Sequence, residues 1–280
     1  LTNSNTGTIN VNGGAGGGRV ITANLDNQGT VNLNVSTTFN KASGSYTNSN
    51  AFNIAGGVTL SISGSSQVFH QNGGTLSVGG AFDMSSATFN FNGGAISGTV
   101  TLTSSALNIG AGATSPVVFV VAGTSTLNGN ISSGQTVSVQ PNCGGNTQLA
   151  SANSFTNAGI LKLESLSCGY QATLIVSAGT LTNTGTINVN GGAGGGRVIT
   201  ANLDNQGTVD VNSDLTFNKS SGTYTNTGAV TIASAKTLTV STGSPVFNQN
   251  GGSLTISGVF DMNSGAFNFN GGAIAGGGTL

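Results

Sequence analysis

The chain has 280 residues, of which 6 are lysine or arginine, 7 are aspartate or glutamate and 1 is histidine. A net charge of −1 over this length excludes a basic nucleic-acid surface, and no apolar run is long enough for a membrane-spanning helix. Glycine is abundant at 47 residues, yet leucine, valine, isoleucine and phenylalanine recur at regular spacing, which predicts an ordered chain rather than a linker. We therefore expect no nucleic-acid partner and no membrane insertion in this segment.

The largest feature of the sequence is an internal copy. Residues 5–31 reappear without a gap as residues 183–209, 178 positions later. Repetition at a fixed period is typical of arrays in which each unit buries its apolar face against its neighbours. We expect residues 1–178 to be one complete repeat and residues 179–280 a partial second repeat, both within one continuous solenoid over residues 1–280. Because both ends lie inside a repeat, we also expect the chain to be a section of a longer fibre.

A shorter motif, Asn-x-Gly-x-apolar-x-apolar, recurs inside each copy. In chain order its positions are Asn5 and Gly7, Asn27 and Gly29, Asn48 with Asn50 in place of glycine, Asn72 and Gly74, Asn92 and Gly94, Asn157 and Gly159, Asn183 and Gly185, Asn205 and Gly207, Asn226 and Gly228, Asn250 and Gly252, and Asn270 and Gly272. This spacing predicts coils of about 20 to 24 residues, roughly 12 to 13 in the whole chain, with no helices of note.

Each position of the motif has a physical interpretation. Glycine would supply the positive φ that turns the chain into the next strand, and asparagine at position 50 is the side chain that next best tolerates this region. Stacked coils would align the motif asparagines in a hydrogen-bonded ladder at a corner, and Phe39, Phe69 and Phe89 in interior ladders. The predicted fold class is therefore all-β, a single parallel β-solenoid.

A glycine-rich stretch ends at Arg19 and is copied up to Arg197. It is not followed by the helix that a phosphate-binding loop needs, and it lacks the acidic residues of calcium-binding glycine repeats. We interpret it as a turn between coils. Each arginine then contacts a ligand, pairs with Asp26 or Asp204, or remains solvated, which is the default.

The residues that follow the motif glycines point outward and are small and polar. A flat face of this kind could bind glycans or another surface. It suits ice less well, because its composition is mixed. The alternative is a solvated sheet face with no ligand. The candidate binding face comprises Thr8, Asn10, Thr30, Asn32, Thr75 and Ser77.

The irregular segment at about residues 103–178 carries both cysteines, Cys143 and Cys168, which lie about one coil apart. Neighbouring coils bring equivalent Cα atoms to about 5.5 Å, within disulfide range. We predict that the two cysteines form a disulfide, as in an oxidising exterior, with two free thiols as the alternative. His70 is distant in sequence and no second cysteine pair exists, so we expect no metal site.

Few residues suit catalysis. Glu164 is the only glutamate, Asp83 and Asp261 lack a nearby acidic or basic sequence partner, and His70 is replaced by Asn248 in the second copy. General acid–base chemistry needs groups that move protons at a common site. We expect no catalytic residues, no cofactor and no enzyme activity, with a polysaccharide-active β-helix enzyme as the remote alternative.

These repeated motifs resemble the parallel β-solenoids of bacterial surface adhesins, including filamentous-haemagglutinin and autotransporter-passenger regions. The resemblance covers most of the chain and rests on pattern and composition. It implies a non-enzymatic structural or adhesive segment of an extracellular or cell-surface fibre. Its expected partners are further copies of itself, end to end or side by side, and surface glycans. A glycan- or surface-binding module is the alternative function.

Overall fold

The structure, a computed structural model, describes residues 1–280 and is an all-β parallel β-solenoid of about 12 coils of roughly 22 residues. It contains no helix, so the predicted fold class is confirmed. The chain divides into two compact units, Leu1–Thr136 and Val137–Leu280. This boundary lies before the end of the 178-residue repeat, and the prediction of one continuous solenoid stays a prediction.

The first unit is built from short strands that begin after a corner and end at the next one. Its strands are β1 (Thr2–Asn3), β2 (Thr8–Val11), β3 (Arg19–Ile21), β4 (Leu25–Asn27), β5 (Thr30–Leu33), β6 (Thr37–Phe39), β7 (Ser45–Asn48), β8 (Ala51–Ile54), β9 (Thr59–Ser63), β10 (Val68–Gln71), β11 (Thr75–Val78), β12 (Ala81–Ser85), β13 (Thr88–Phe91), β14 (Ala95–Ser97), β15 (Thr99–Thr103), β16 (Ala106–Ile109), β17 (Val117–Ala122) and β18 (Thr124–Asn128).

Three parallel sheets form this unit, and each of the first five coils adds one strand to each sheet. The first sheet contains β1, β4, β7, β10, β13, β16 and β18. The second contains β2, β5, β8, β11 and β14. The third contains β3, β6, β9, β12, β15 and β17. Each strand therefore bonds to the equivalent strand one coil away.

The second unit has the same organisation with longer strands. Its strands are β19 (Gln135–Val139), β20 (Thr147–Ser151), β21 (Phe155–Asn157), β22 (Ile160–Ser165), β23 (Ala172–Asn183), β24 (Thr186–Gly192), β25 (Arg197–Asn205), β26 (Thr208–Val211), β27 (Leu215–Phe217), β28 (Thr223–Asn226), β29 (Ala229–Ile232), β30 (Thr237–Val240), β31 (Val246–Gln249), β32 (Ser253–Ile256), β33 (Val259–Met262), β34 (Ala266–Phe269) and β35 (Ala273–Ala275).

Two strands of this unit run around a corner. The register between β23 and β25 shifts after Ile175 and resumes at Thr180, so each strand belongs to two sheets. One sheet continues through β27, β30 and β33, and the other through β28, β31 and β34. The remaining sheet runs β22, β24, β26, β29, β32 and β35.

The core follows from alternation along each strand. In most strands buried and partly exposed residues alternate, as in β5, where Val31 and Leu33 are buried between the outward Thr30 and Asn32. Side chains on a strand point to opposite sides in turn, so this pattern gives one apolar face per strand. The three apolar faces of each coil meet inside the solenoid.

The aromatic side chains join sheets as well as coils. Phe69 and Phe89 stack within the first sheet with ring centroids 5.6 Å apart and ring planes 5° apart. Phe39, predicted for the same kind of ladder, lies in the third sheet and touches Tyr46 and Phe52 instead. The prediction missed this because Phe39 lies at the end of β6, in the third sheet, whereas Phe69 and Phe89 lie in the first sheet. Ring contacts of this type stabilise a core beyond their buried area.

The motif glycines serve two purposes, of which the sequence predicted one. Gly74 and Gly252 have positive φ, as expected. The expectation of a left-handed bend is wrong at Gly7, Gly29, Asn50, Gly159, Gly185, Gly207 and Gly228, none of which has a positive φ. A Cβ built at Gly29 would collide with the carbonyl oxygens of the preceding coil, and one at Gly207 would collide likewise. Close approach of stacked backbones therefore selects glycine at these two positions.

Candidate functional site

A ladder of buried amide side chains runs along one corner of the first unit. Asn3 Nδ2 donates to Asn27 Oδ1 at 2.7 Å, Asn27 Nδ2 to Asn48 Oδ1 at 2.7 Å, and Asn48 Nδ2 to Gln71 Oε1 at 2.9 Å. The same nitrogens also donate to backbone carbonyls at the start of the following strand in the adjacent coil, such as Thr30 O at 3.0 Å. Each buried amide is thus bonded to its neighbours along the axis, as burial requires.

The second unit repeats this ladder. Asn157, Asn183, Asn205 and Asn226 donate in turn, and the series ends at Gln249. The five side chains are at most 1 % exposed. The ladder in both units therefore consists of asparagines followed by one glutamine, which the short motif did not include.

The structure corrects five of the predicted ladder positions. Asn5 is exposed, and Asn3 occupies the ladder instead, because Ser4 and Asn5 are extra residues in this corner relative to the second copy. At four corners with the sequence Asn-Gly-Gly, one additional residue turns the asparagine outward, and at three of them the preceding residue, Gln71, Phe91 or Gln249, is buried instead. These outward asparagines are Asn72, Asn92, Asn250 and Asn270.

The outward asparagines still contact each other in pairs. Asn92 Nδ2 donates to Asn72 Oδ1 at 2.8 Å, and Asn270 Nδ2 donates to Asn250 Oδ1 at 2.8 Å. Both pairs are exposed. They are rows on the outside of the corner and add little to stability, since exposed amides also bond to water.

The candidate binding face lies on the outer side of the second sheet. Thr8 pairs with Thr30 and Asn10 with Asn32, while Thr75 and Ser77 follow on β11 beyond β8. Asn32 Nδ2 donates to Asn10 Oδ1 at 2.8 Å, and Asn53 extends the row. The structure therefore brings all six predicted face residues onto one side of one sheet, where amide groups form a row parallel to the axis.

The row changes chemistry in the second copy, where Asp210 replaces Asn32 between Asn188 and Thr231. Burial raises the pKa of the Asp210 carboxyl. A carboxylate can only accept hydrogen bonds, so it cannot continue the amide row in both directions. The two copies of the face are therefore similar in shape and different in charge.

We predict that Asp210→Asn raises the free energy of unfolding by about 1 kcal/mol at neutral pH, because it restores an amide that can bond to Asn188. Because the pKa of Asp210 is raised in the folded state, ionisation of Asp210 lowers the stability of the protein as pH rises through that pKa. The stability gained by Asp210→Asn should therefore be smaller in acid than at neutral pH. Urea unfolding of both proteins at neutral and at acidic pH measures this difference in the free energy of unfolding. The reverse change Asn32→Asp is the matched control and should destabilise; a gain from Asn32→Asp would contradict the prediction.

His70 lies on the outer side of the first sheet, at the end of another row. Its Nδ1 is 3.0 Å from Asn90 Nδ2, and Asn108 and Asn128 continue the row beyond Asn90. Burial lowers the pKa of His70. The ring nitrogen that faces the Asn90 amide must be unprotonated to accept its hydrogen bond.

We predict that the first unit loses stability as pH falls below about 6.5, the ordinary histidine pKa, because the unfolded chain then binds the proton first. His70→Asn, the residue found at Asn248 in the second copy, should remove this dependence. The expected benefit in mild acid is about 0.5 to 1 kcal/mol, the contribution of one hydrogen bond. Hydrogen exchange of the first unit at pH 7.5 and in mild acid measures it; equal pH dependence in both proteins would contradict it.

The two copies of the glycine-rich turn hold their arginines differently. Arg19 is partly exposed, and its Nη1 donates to Gly17 O. Arg197 is 1 % exposed. Its Nε donates to Asn190 O at 2.9 Å, and its Nη1 donates to Gly194 O at 3.1 Å and to the next carbonyl at 2.8 Å. The default of a solvated side chain is therefore wrong for Arg197.

Glu164 explains this difference. It is 8 % exposed, accepts from Ser138 Oγ at 2.7 Å, and accepts from Asn190 Nδ2 at 3.2 Å. Asn190 therefore links the two buried charges, with its side chain on Glu164 and its backbone carbonyl on Arg197. Burial lowers the pKa of Arg197, and the Glu164 charge opposes that change. We call these four residues, Ser138, Glu164, Asn190 and Arg197, the buried charge cluster.

The predicted pairing of the arginines with Asp26 and Asp204 does not occur. Both aspartates instead accept from a glutamine two residues on, Gln28 at 2.8 Å and Gln206 at 2.7 Å. Two signals for the buried charge cluster are present in the sequence: the single glutamate, and an arginine at the same position in both copies. The coil that supplies Glu164 lies in the irregular segment, so the contact could not be read from the repeat.

The disulfide is confirmed. Cys143 and Cys168 are bonded, with Cα atoms 5.3 Å apart. Ser165 Oγ donates to Cys168 O, and Ser165 O accepts from Ala193 N at 2.7 Å. The disulfide thus anchors the loop that lies beside the glycine-rich turn of the next coil.

No three His, Cys, Asp or Glu side chains come together in a group that could hold a metal ion. The structure also has no helix with the length and hydropathy needed to cross a membrane. The features that the geometry does assemble are rows of amides and a buried charge cluster, which bind one coil to the next.

The chain matches no family model, and neither the curated proteins nor the solved structures compared with it contain a match.

Proposed function

We propose that this chain is a non-enzymatic structural and adhesive segment of a large repetitive extracellular or cell-surface fibre, of the kind found in bacterial surface adhesins. The observation that carries this proposal is the buried amide ladder, which occurs in both units with the same order of asparagines and a final glutamine. Its hydrogen bonds run along the axis, in the same direction as the backbone bonds between coils. A stalk needs cohesion in this direction.

The extracellular location that we propose is supported by the disulfide and by the low charge of the surface. Disulfides persist in oxidising compartments, and the Cys143–Cys168 bond holds a loop rather than a reactive centre. The low charge and the rows of small polar side chains suit a surface that packs beside copies of itself. We accordingly place the segment outside the cell, with further copies of the chain as its main partners.

Electron microscopy and sedimentation of the chain at rising concentration test the proposal. We expect particles that lengthen along one direction as concentration increases, because exposed edges of parallel strands pair readily. Ile274→Lys puts a charge on β35, the outermost strand of its sheet, and should reduce this lengthening; Thr225→Lys, on an inner strand, is the matched control. Monomers at every concentration, together with sugar release from a panel of polysaccharides, would contradict it.

A glycan- or surface-binding role is the second candidate, and the outward row of Asn10, Asn32 and Asn53 favours it. These amides retain donors and acceptors that point to solvent, at the spacing of adjacent coils. A glycan array and an ice-shaping assay test this role. Binding that disappears in Asn32→Ala would support it, and no binding in either assay would leave the structural role alone.

A further inference from the structure

Asparagine followed by glycine is chemically unstable, and the chain contains seven such pairs. The glycine nitrogen attacks Cγ of the asparagine, a nitrogen–Cγ bond forms, the Cγ–Nδ2 bond breaks, and ammonia leaves with the amide proton. Water then opens the cyclic imide at either carbonyl, giving aspartate or isoaspartate. The reaction needs a glycine nitrogen that is free to approach and an Nδ2 that is free to leave.

Four pairs are restrained at the glycine nitrogen. In each, the glycine N–H donates to a backbone carbonyl of a buried ladder residue in the preceding coil. The bonds are Gly73 N to Asn48 O at 3.3 Å, Gly93 N to Gln71 O at 3.2 Å, Gly251 N to Asn226 O at 3.2 Å and Gly271 N to Gln249 O at 3.1 Å. Attack would break these bonds and disturb the corner.

Two further pairs are restrained at the leaving nitrogen. Asn128 Nδ2 donates to Asn108 Oδ1 at 2.8 Å. Asn190 Nδ2 donates to Glu164 Oε2 at 3.2 Å, and the Asn190 carbonyl accepts from Arg197 Nε at 2.9 Å. The buried charge cluster therefore fixes both the side chain and the backbone of Asn190.

The remaining pair, Asn12 and Gly13, carries neither restraint. Both residues are exposed, and no atom lies within 4 Å of the position that a Cβ of Gly13 would occupy. Asn12 makes one side-chain hydrogen bond, in which its Oδ1 accepts from Asn34 Nδ2 at 2.8 Å. That bond draws electron density from Cγ, which favours attack and leaves Nδ2 free.

We propose that Asn12 is a self-modification site, which converts to aspartate and isoaspartate in the folded protein while its sequence-identical copy Asn190 is held unreacted. The inference does not depend on the proposed function. Conversion places a negative charge beside Asn34, at the end of the row on the candidate binding face. This face therefore becomes more acidic with age, whereas its copy in the second unit does not.

Peptide mass spectrometry of the intact chain after incubation in mildly alkaline buffer tests this proposal. Trypsin cleaves after Arg19 and after Arg197. The peptides that end at these residues contain Asn12 and Asn190, and they can be distinguished because the earlier parts of their sequences differ. We expect conversion at Asn12 to be at least about tenfold faster than at Asn190, a barrier difference of ~1.4 kcal/mol. In denaturant the rates should become equal, since the local sequences are identical.

The controls use the glycines. Gly13→Ala has open space for its methyl group and should slow conversion at Asn12 in the folded protein. Gly191→Ala, at the equivalent position of the second copy, should leave the rate at Asn12 unchanged. Equal rates at Asn12 and Asn190 in the native chain, or faster conversion at Asn190, would overturn the proposal.

Discussion

Replacing Arg197 with methionine should lower the free energy of unfolding of the Val137–Leu280 unit by about 3 kcal/mol or more. Arg197 is buried, and its loss removes the donors that satisfy the carbonyls of Asn190 and Gly194. It also leaves Glu164 buried without its compensating charge. The two charges make no direct ion pair and are linked through Asn190, so the expected loss comes mainly from the buried carbonyls left without a donor, each at about 1 to 3 kcal/mol. Urea unfolding, followed by hydrogen exchange of peptides from this unit, measures the loss.

The chain contains its own control for this change. Arg19 occupies the same position in the first copy but is partly exposed, so Arg19→Met should change stability by no more than about 0.5 kcal/mol. The double variant Arg197→Met with Glu164→Met should recover part of the loss, because no unpaired buried charge remains. Similar losses in the two single arginine variants would show that burial of Arg197 has no energetic importance.

Asn205→Ala should destabilise the same unit by about 3 kcal/mol. Asn205 accepts from Asn183 Nδ2 at 2.7 Å, and it donates to Asn226 Oδ1 at 2.7 Å and to Ala229 O at 3.0 Å. Its removal leaves two buried amide groups and one partly buried carbonyl without this partner, each at a cost of about 1 kcal/mol. The loss should also lower the cooperativity of unfolding, because the variant interrupts the ladder between neighbouring coils.

Asn268→Ala is the matched control for the ladder. Asn268 also donates to an asparagine one coil away, Asn248 Oδ1 at 2.9 Å, but it is exposed. Water can replace that bond, so the expected change is about 0.5 kcal/mol. Thermal and urea unfolding of both variants decide the matter. If Asn205→Ala costs no more than Asn268→Ala, the buried ladder is not what joins the coils.

The coil length and the strand positions could be predicted because they depend on local alternation. A residue such as Val31 must face inward wherever the period-two pattern places it, and glycine marks the corner next to it. The ladder asparagines Asn27, Asn48 and Asn205 were predicted for the same reason. Backbone stacking then brings equal positions of successive coils together without further information.

Other features depend on corner geometry that the motif does not encode. Aligning the motif on glycine placed Asn72 in the ladder, whereas the additional residue in that corner puts Gln71 there. Alignment on Gly7 likewise placed Asn5 in the ladder, whereas the two extra residues in that corner put Asn3 there. The buried charge cluster was missed for a different reason: Arg197 has the same local sequence as Arg19, and its burial depends on Glu164 in another coil.

The force–extension curve of a single chain pulled from its two ends tests the stalk role most directly. Each coil contacts mainly its neighbours, so coils should detach one after another under load. A coil of roughly 22 residues should then release about 75 Å of chain per step. We predict a series of such steps, with weaker steps in Asn205→Ala. A single rupture at low force, with no intermediate steps and no effect of Asn205→Ala, would contradict the proposal that this chain is a load-bearing segment of a fibre.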